Sequence, residues 1–210
     1  PFYSPGSDFI AIANTYITSG ELILDVALLR SIDDHVDDEM SNRAMELINR
    51  DESRHIAVDF RMVEHYASRQ YKQKLRQRPP APLPKRLRAA WAFISVLYFG
   101  APFFRDVFFE PMHHIDPSGR RIREAFKRIQ LLGTKQELQE HPFTRFMTGL
   151  QDVYNDRPAV RLVFGRLIRR ITGVDESLMA RLYDQKEVER SNRMSFDELA
   201  EEALSAKFAS

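Results

Sequence analysis

Cysteine is missing from all 210 positions, which removes disulfide cross-links, thiolate nucleophiles and Cys-ligated zinc or iron–sulfur centres from consideration. Any metal must then be held by oxygen and nitrogen. Glycine is sparse at 8 residues, and neither a phosphate-cradling glycine loop nor a Gly-x-Ser-x-Gly elbow occurs. Neither sign of charge dominates: 31 Lys+Arg face 30 Asp+Glu, a formal net charge of +1. The overall balance therefore argues for neither general nucleic-acid affinity nor an acidic solvating tail. No apolar run is long enough for a membrane span. The greasiest, Ala89 to Phe104, has 16 residues without a charge and contains Gly100 and Pro102. It reads as a buried core helix with an aromatic kink; the sharper alternative is that residues 85–104 dock on a membrane or apolar partner behind Lys85-Arg86-Leu87-Arg88. No signal peptide is visible, so a cytoplasmic protein is expected. The chain opens Pro-Phe-Tyr-Ser-Pro-Gly without an initiator Met, as a processed or shortened form of something longer would.

What remains is a helical chain, 43% hydrophobic and 29% charged, long enough for a substantial core. From Asp8 to about Arg30 a wide apolar face, preceded by Ser4-Pro5-Gly6-Ser7, predicts a long buried helix. The polar run Ser31 to Asp38 is the best turn candidate. Residues 37–74 contain no Pro or Gly and keep helical periodicity through Ile48, Ile56, Phe60 and Val63, ending in a basic tail. Arg78-Pro79-Pro80-Ala81-Pro82-Leu83-Pro84 then predicts a stiff, non-helical connector. Beyond it, helices are expected over about 85–98, 102–113, 117–132, 135–154, 159–172, 176–190 and 195–207. The organisation expected is a helix pair over 1–78, a connector over 79–84 and a C-terminal helical section over 85–210, with no strands.

One constellation carries chemistry. Glu21 on the first helix is followed 31 residues later by Glu52-Ser53-Arg54-His55 on the second. Residues three apart share a helix face, so Glu52 and His55 offer one oxygen and one nitrogen to a common ion. The midpoint between Glu21 and Glu52 falls at Val36/Asp37, inside the turn candidate. At ~1.5 Å rise per residue a hairpin bent there puts both carboxylates about 23 Å from the bend and level with each other. Hard oxygen plus imidazole suits iron or manganese. Glu21 and Glu52 are the expected bridging or chelating carboxylates and His55 the terminal ligand. Asp59, one turn past His55, is placed to fix the imidazole tautomer, with Asp25 doing similar work beside Glu21. Ile17, Thr18, Leu24, Ile48 and Ile56 are the expected walls of a small apolar substrate pocket.

Residues 8–75, centred on Asp51-Glu52-Ser53-Arg54-His55, resemble the second helix pair of ferritin-like diiron carboxylate proteins, the superfamily of ribonucleotide reductase small subunits, acyl desaturases and arylamine N-oxygenases. The Asp-Glu-x-Arg-His wording is closest to the N-oxygenase-like branch. The likeness covers about a third of the chain. It implies a ferritin-like bundle, two iron ions (or manganese), O2 and a small organic substrate, and an electron-donor protein, with Glu21 as the third-helix Glu and Glu52/His55 as the fourth-helix Glu-x-x-His. Two departures stand out. Ile48 occupies the position where the N-oxygenases carry an extra His, and no first Glu and Glu-x-x-His pair precedes Glu21. Three sources can supply the missing ligands: a region ahead of Pro1, a second copy in a symmetric dimer, or the later Glu110/His113 pair, which Pro111 marks as a helix boundary.

A second reading makes the chain a non-enzymatic helical interaction module, its Glu/His set a buried polar network satisfied by Arg54 or Asn14. The Arg-rich stripe from Arg161 to Arg170 reads as a solvated face, or more sharply as a contact for phosphate, anionic lipid or acidic protein. Nucleic-acid binding by it is the weakest expectation.

Overall fold

The computed structural model describes residues 9–79, 82–159, 161–162, 165–166, 170 and 176–208, and every regular element among them is helical. The first rod comprises α1 (Phe9–Ile23), a π-helical segment (Leu24–Leu29) and α2 (Arg30–His35) without a break. It runs five residues past the expected end at Arg30. Val36, in extended conformation, stops it, and Asp38 caps the next helix by accepting the Ser41 N–H at 2.8 Å. The bend thus falls at Val36–Asp38, where the glutamate spacing requires it.

The return rod, α3 (Glu39–Ala67), is a single helix of 29 residues. It buries Ile56, Phe60, Val63 and Ala67, a 4-3-4 spacing that forms one stripe, against Leu22, Ile23, Val26 and Ala27 of the first rod. The expected continuation to Lys74 is interrupted at Ser68, whose extended backbone and hydroxyl cap a separate α4 (Arg69–Arg76). A serine between two helical runs is a stop signal as good as glycine here, because its side chain satisfies the Tyr71 N–H that the new helix leaves open.

Proline connects rather than separates the next part. α5 (Leu83–Phe103), a π-helical segment (Phe104–Phe109) and α6 (Glu110–Ile115) form one uninterrupted rod. Pro84 sits in the first turn of α5, where its missing N–H costs nothing. Pro102 and Pro111 flank the π segment, and the wider winding between them accommodates two positions that cannot donate to the preceding turn. The break expected at Gly100 does not occur. Nor is Ala89–Phe104 a buried core helix. Ala89 and Ala101 are buried, but Trp91, Ile94, Tyr98, Phe99 and Phe103 are exposed. No helix among the described residues is long and apolar enough to cross a membrane.

Beyond a turn closed by Gly119 in the left-handed region, α7 (Arg120–Thr134) supplies the third wall of the core through Ala125, Phe126 and Leu132. The helix expected over 135–154 divides into a 3-10 turn (Gln136–Leu138) and α8 (Pro142–Asp156). His141, extended ahead of Pro142, makes this division. Lys135, also extended, ends α7, and its buried ammonium donates to the Ser191 and Met194 carbonyls while lying 5.0 Å from the Phe196 ring centroid. The helix expected over 159–172 lies largely outside the described residues. That expected over 176–190 resolves into α9 (Glu176–Met179) and α10 (Gln185–Arg193), the latter started by an Asp184/Glu187 capping box. α11 (Phe196–Phe208) buries Phe196, Leu199, Ala200 and Ala203 against α3 and α7. Arg61–Asp197 and Arg128–Glu202 tie its outer face down. One core cluster therefore joins residues from both sides of the Pro-rich connector.

Candidate metal centre

Glu21 lies at the end of α1, just before the π-helical segment; Glu52 and His55 lie mid-way along α3. The hairpin brings them level, and one ligand atom from each lies within 4.8 Å of the other two. Oxygen and nitrogen donors sit roughly 2.0–2.2 Å from a first-row metal, so opposite donors are separated by about 4.4 Å at most. The three side chains fit one ion at their centre with little adjustment. His55 Nδ1 and Glu52 Oε2 are hydrogen-bonded at 2.8 Å, which orients both groups and leaves Nε2 without a partner among the described residues. His55 is the open edge of the cluster, its side chain 59% exposed against 21% for Glu52.

The electrostatics are those of an anionic site short of counter-charge. Glu21 titrates above the usual carboxylate range, first because it is desolvated and then because Glu52, Asp59 and Asp25 lie close. Asp59 is pushed up to about 6, again by burial, with His55 partly opposing the shift. His55 is raised, mainly by its bond to Glu52. One oxygen each of Glu21 and Asp59 is buried with no hydrogen-bond partner among the described residues. A buried carboxylate oxygen with nothing to bond is costly, and a bound cation is the simplest group that would relieve two of them at once.

Comparison with protein-family models, curated proteins and solved structures returns no match.

The structure gathers Glu21, Glu52 and His55 as their spacing requires, and places Asp25 and Asp59 beside them, Asp25 fully buried. It gives Asp59 a different part from the one expected. Glu52 Oε2 accepts the hydrogen bond of the His55 ring, and Asp59 Oδ2 has no hydrogen-bond partner among the described residues. Among the expected pocket walls, Thr18 and Ile56 are fully buried, and Thr18 spends its hydroxyl on the Asn14 carbonyl at 2.9 Å. Leu24 is half-buried, while Ile17 and Ile48 are exposed. Arg54 is not a partner of the cluster: it is exposed and binds Asp51 at 2.8 Å. Glu110 and His113 lie on α6, both exposed, in the wall of a separate cavity that includes none of the cluster residues. What the spacing argument missed is the π winding of Leu24–Leu29 directly after Glu21. Such single-turn widenings often occur at functional sites, and no residue pattern in Leu24-Asp25-Val26-Ala27-Leu28-Leu29 announces one.

Proposed function

We propose that this protein binds a first-row transition metal, iron or manganese, through Glu21, Glu52 and His55, and that it is the ligand-bearing helix pair of a two-metal oxidoreductase acting with O2 on a small organic substrate. The observation that carries the metal reading is the convergence of those three donors around a common point, beside buried carboxylate oxygens that have no other partner among the described residues. The oxidoreductase reading rests on the resemblance of Asp51-Glu52-Ser53-Arg54-His55 to the ferritin-like diiron proteins. In that reading the metals supply the redox chemistry. The chain supplies geometry: Glu52 holds the His55 ring through Nδ1, and Asp59 and Asp25 add negative charge that favours a multivalent cation. Three protein donors leave the coordination sphere unfinished, so further carboxylates would complete a second metal position.

Anaerobic titration with Fe(II), and with Co(II) as a spectroscopic stand-in, is expected to saturate near one ion per chain. Glu52→Ala or His55→Ala is expected to weaken binding at least tenfold without unfolding the protein. Metal content at background level in the unaltered protein would reject the proposal.

The non-enzymatic module is favoured by one observation, the Glu52–His55 bond, which partly satisfies the pair without any ion. Thermal melts separate the two readings. The metal reading requires that chelator lower the melting temperature of metal-loaded protein, whereas the module requires no change.

A further inference from the structure

A second place in the molecule gathers charge, and it is independent of the carboxylate cluster. α5, α6, the turn before α7 and the residues Arg166, Arg170, Ser177 and Leu178 line a half-open cavity of about 1190 Å³. That is slightly larger than the ~300–1,000 Å³ of ordinary small-molecule pockets. Its apolar wall includes Phe99, Pro102, Phe109, Ile122 and Leu178. Its charged wall holds Arg105, Arg123, Arg166 and Arg170 against only Glu110 and Asp116.

Local bonding accounts for part of this set. Arg105 is engaged by Asp106 at 2.6 Å, and Arg123 donates to the Ser118 carbonyl. Asp116 accepts from Ser118 and from the Arg121 N–H, which holds its carboxyl below the usual range. The turn that presents these groups depends on Gly119, whose φ of +61° a larger residue would adopt only under strain. Arg166 and Arg170 are left over. They are one helical turn apart in sequence, both exposed, and neither has an ion pair among the described residues. Guanidinium groups with no carboxylate partner, facing a cavity whose other wall is aromatic and aliphatic, match a ligand with an oxyanion at one end and an apolar body at the other.

We propose that this cavity binds a free amphipathic anion, a single-chain carboxylate whose head sits on Arg166 and Arg170 and whose tail lies along Phe99, Phe109 and Ile122. The site gives the Arg stripe of the sequence a specific use, and it shares no residue with Glu21, Glu52 and His55.

The test is calorimetric titration with dodecanoate below its micelle concentration. Saturable binding near one per chain is expected. The double variant Arg166→Gln/Arg170→Gln should lower the affinity at least tenfold with an unchanged melting temperature. Phe99→Asp should do the same from the apolar side, its exposed position making it safe for folding. Dodecanol and acetate, each carrying half of the recognition, should bind at least tenfold more weakly than dodecanoate. Equal binding by either variant, equal binding of dodecanol or acetate, or binding only to vesicles of anionic phospholipid would overturn the proposal. EDTA is expected to leave the titration unchanged; its abolition by EDTA would likewise overturn a site independent of metal.

Discussion

Asp59 shows how a single side chain can report on the candidate metal centre without being one of its proposed ligands. Its pKa of about 6 in the folded protein exceeds the ~3.9 of an unfolded Asp, so between those values the folded state holds more protons. Stability of the metal-free protein should therefore fall as pH rises from 4 to 6 and stay low above that. The raised Glu21 acts in the same direction. So does His55, whose raised pKa contributes stability at low pH that is lost as pH rises through the folded value. Asp59→Asn removes the largest of these carboxylate terms. Because Asp59 is only half-buried, solvent screening reduces the gain to about 1 kcal/mol above pH 6, with none expected below pH 4. Urea melts of both proteins at pH 4 and pH 7.5, with metal removed, check this. An Asn variant no more stable than the parent at pH 7.5 would show that the Asp59 carboxylate is already neutralised by another group.

Lys135 is the opposite case, a buried charge that is satisfied. Its ammonium bonds the carbonyls of Ser191, in the last turn of α10, and Met194, just beyond that helix, and lies near the Phe196 ring. Lys135→Met keeps the aliphatic stem but leaves the carbonyls of Ser191 and Met194 without their donor. The expected cost is about 1–3 kcal/mol. At roughly 2–4 °C per kcal/mol for a chain of this size, calorimetry should show a clear drop in melting temperature. Metal affinity should not change, since α10 and α11 carry none of the donors.

Among the elements, the hairpin was the most legible in sequence. Glu21, Glu52 and His55 share a level because two long helices meet at Val36–Asp38, and both the apolar periodicity and the turn residues pointed there. Asp38→Ala should cost about 1 kcal/mol through loss of the cap on the Ser41 N–H, measured by chemical denaturation. A loss below a few tenths would mean that the bend is held by packing of α1 on α3 alone. Short stops were harder to read. Ser68 and Asp184 begin helices by side-chain capping, which looks like any polar residue on a solvated face until the backbone turns. Lys135 ends one by pointing inward, against the usual tendency of lysine to stay in water. Pro102 and Gly100 suggested a break that the rod avoids by π winding. Tertiary partners decided the outcome at Lys135, whereas at Ser68 and Asp184 it was a local side-chain cap that residue type alone does not announce. The candidate site was legible for a related reason: its three donors are fixed by helix spacing alone, while its supporting cast depends on which neighbours reach them.

Taken whole, the molecule is well covered where α11 meets α3 and α7, and open along α5. Leu83, Leu87, Trp91, Ile94 and Tyr98 follow a 4-4-3-4 spacing down one side of that helix, all exposed, with Phe99 beside them at 77%. Composition could not distinguish this stripe from a core helix, because an apolar run reads the same whether or not something covers it. α5 also carries basic side chains in its first turns and no acidic one. Trp91 is the only tryptophan of the chain and is 71% exposed, so it reports directly on this surface. Its emission at low protein concentration is expected to be that of a water-exposed indole, and acrylamide should quench it nearly as efficiently in the native protein as in urea. Blue-shifted emission with weak quenching would mean that α5 is packed in solution, which would require a different arrangement of the rod around Phe104–Phe109. That same region lines the arginine cavity, so quenching of Trp91 measured with and without dodecanoate would also show whether the helix moves when the cavity fills.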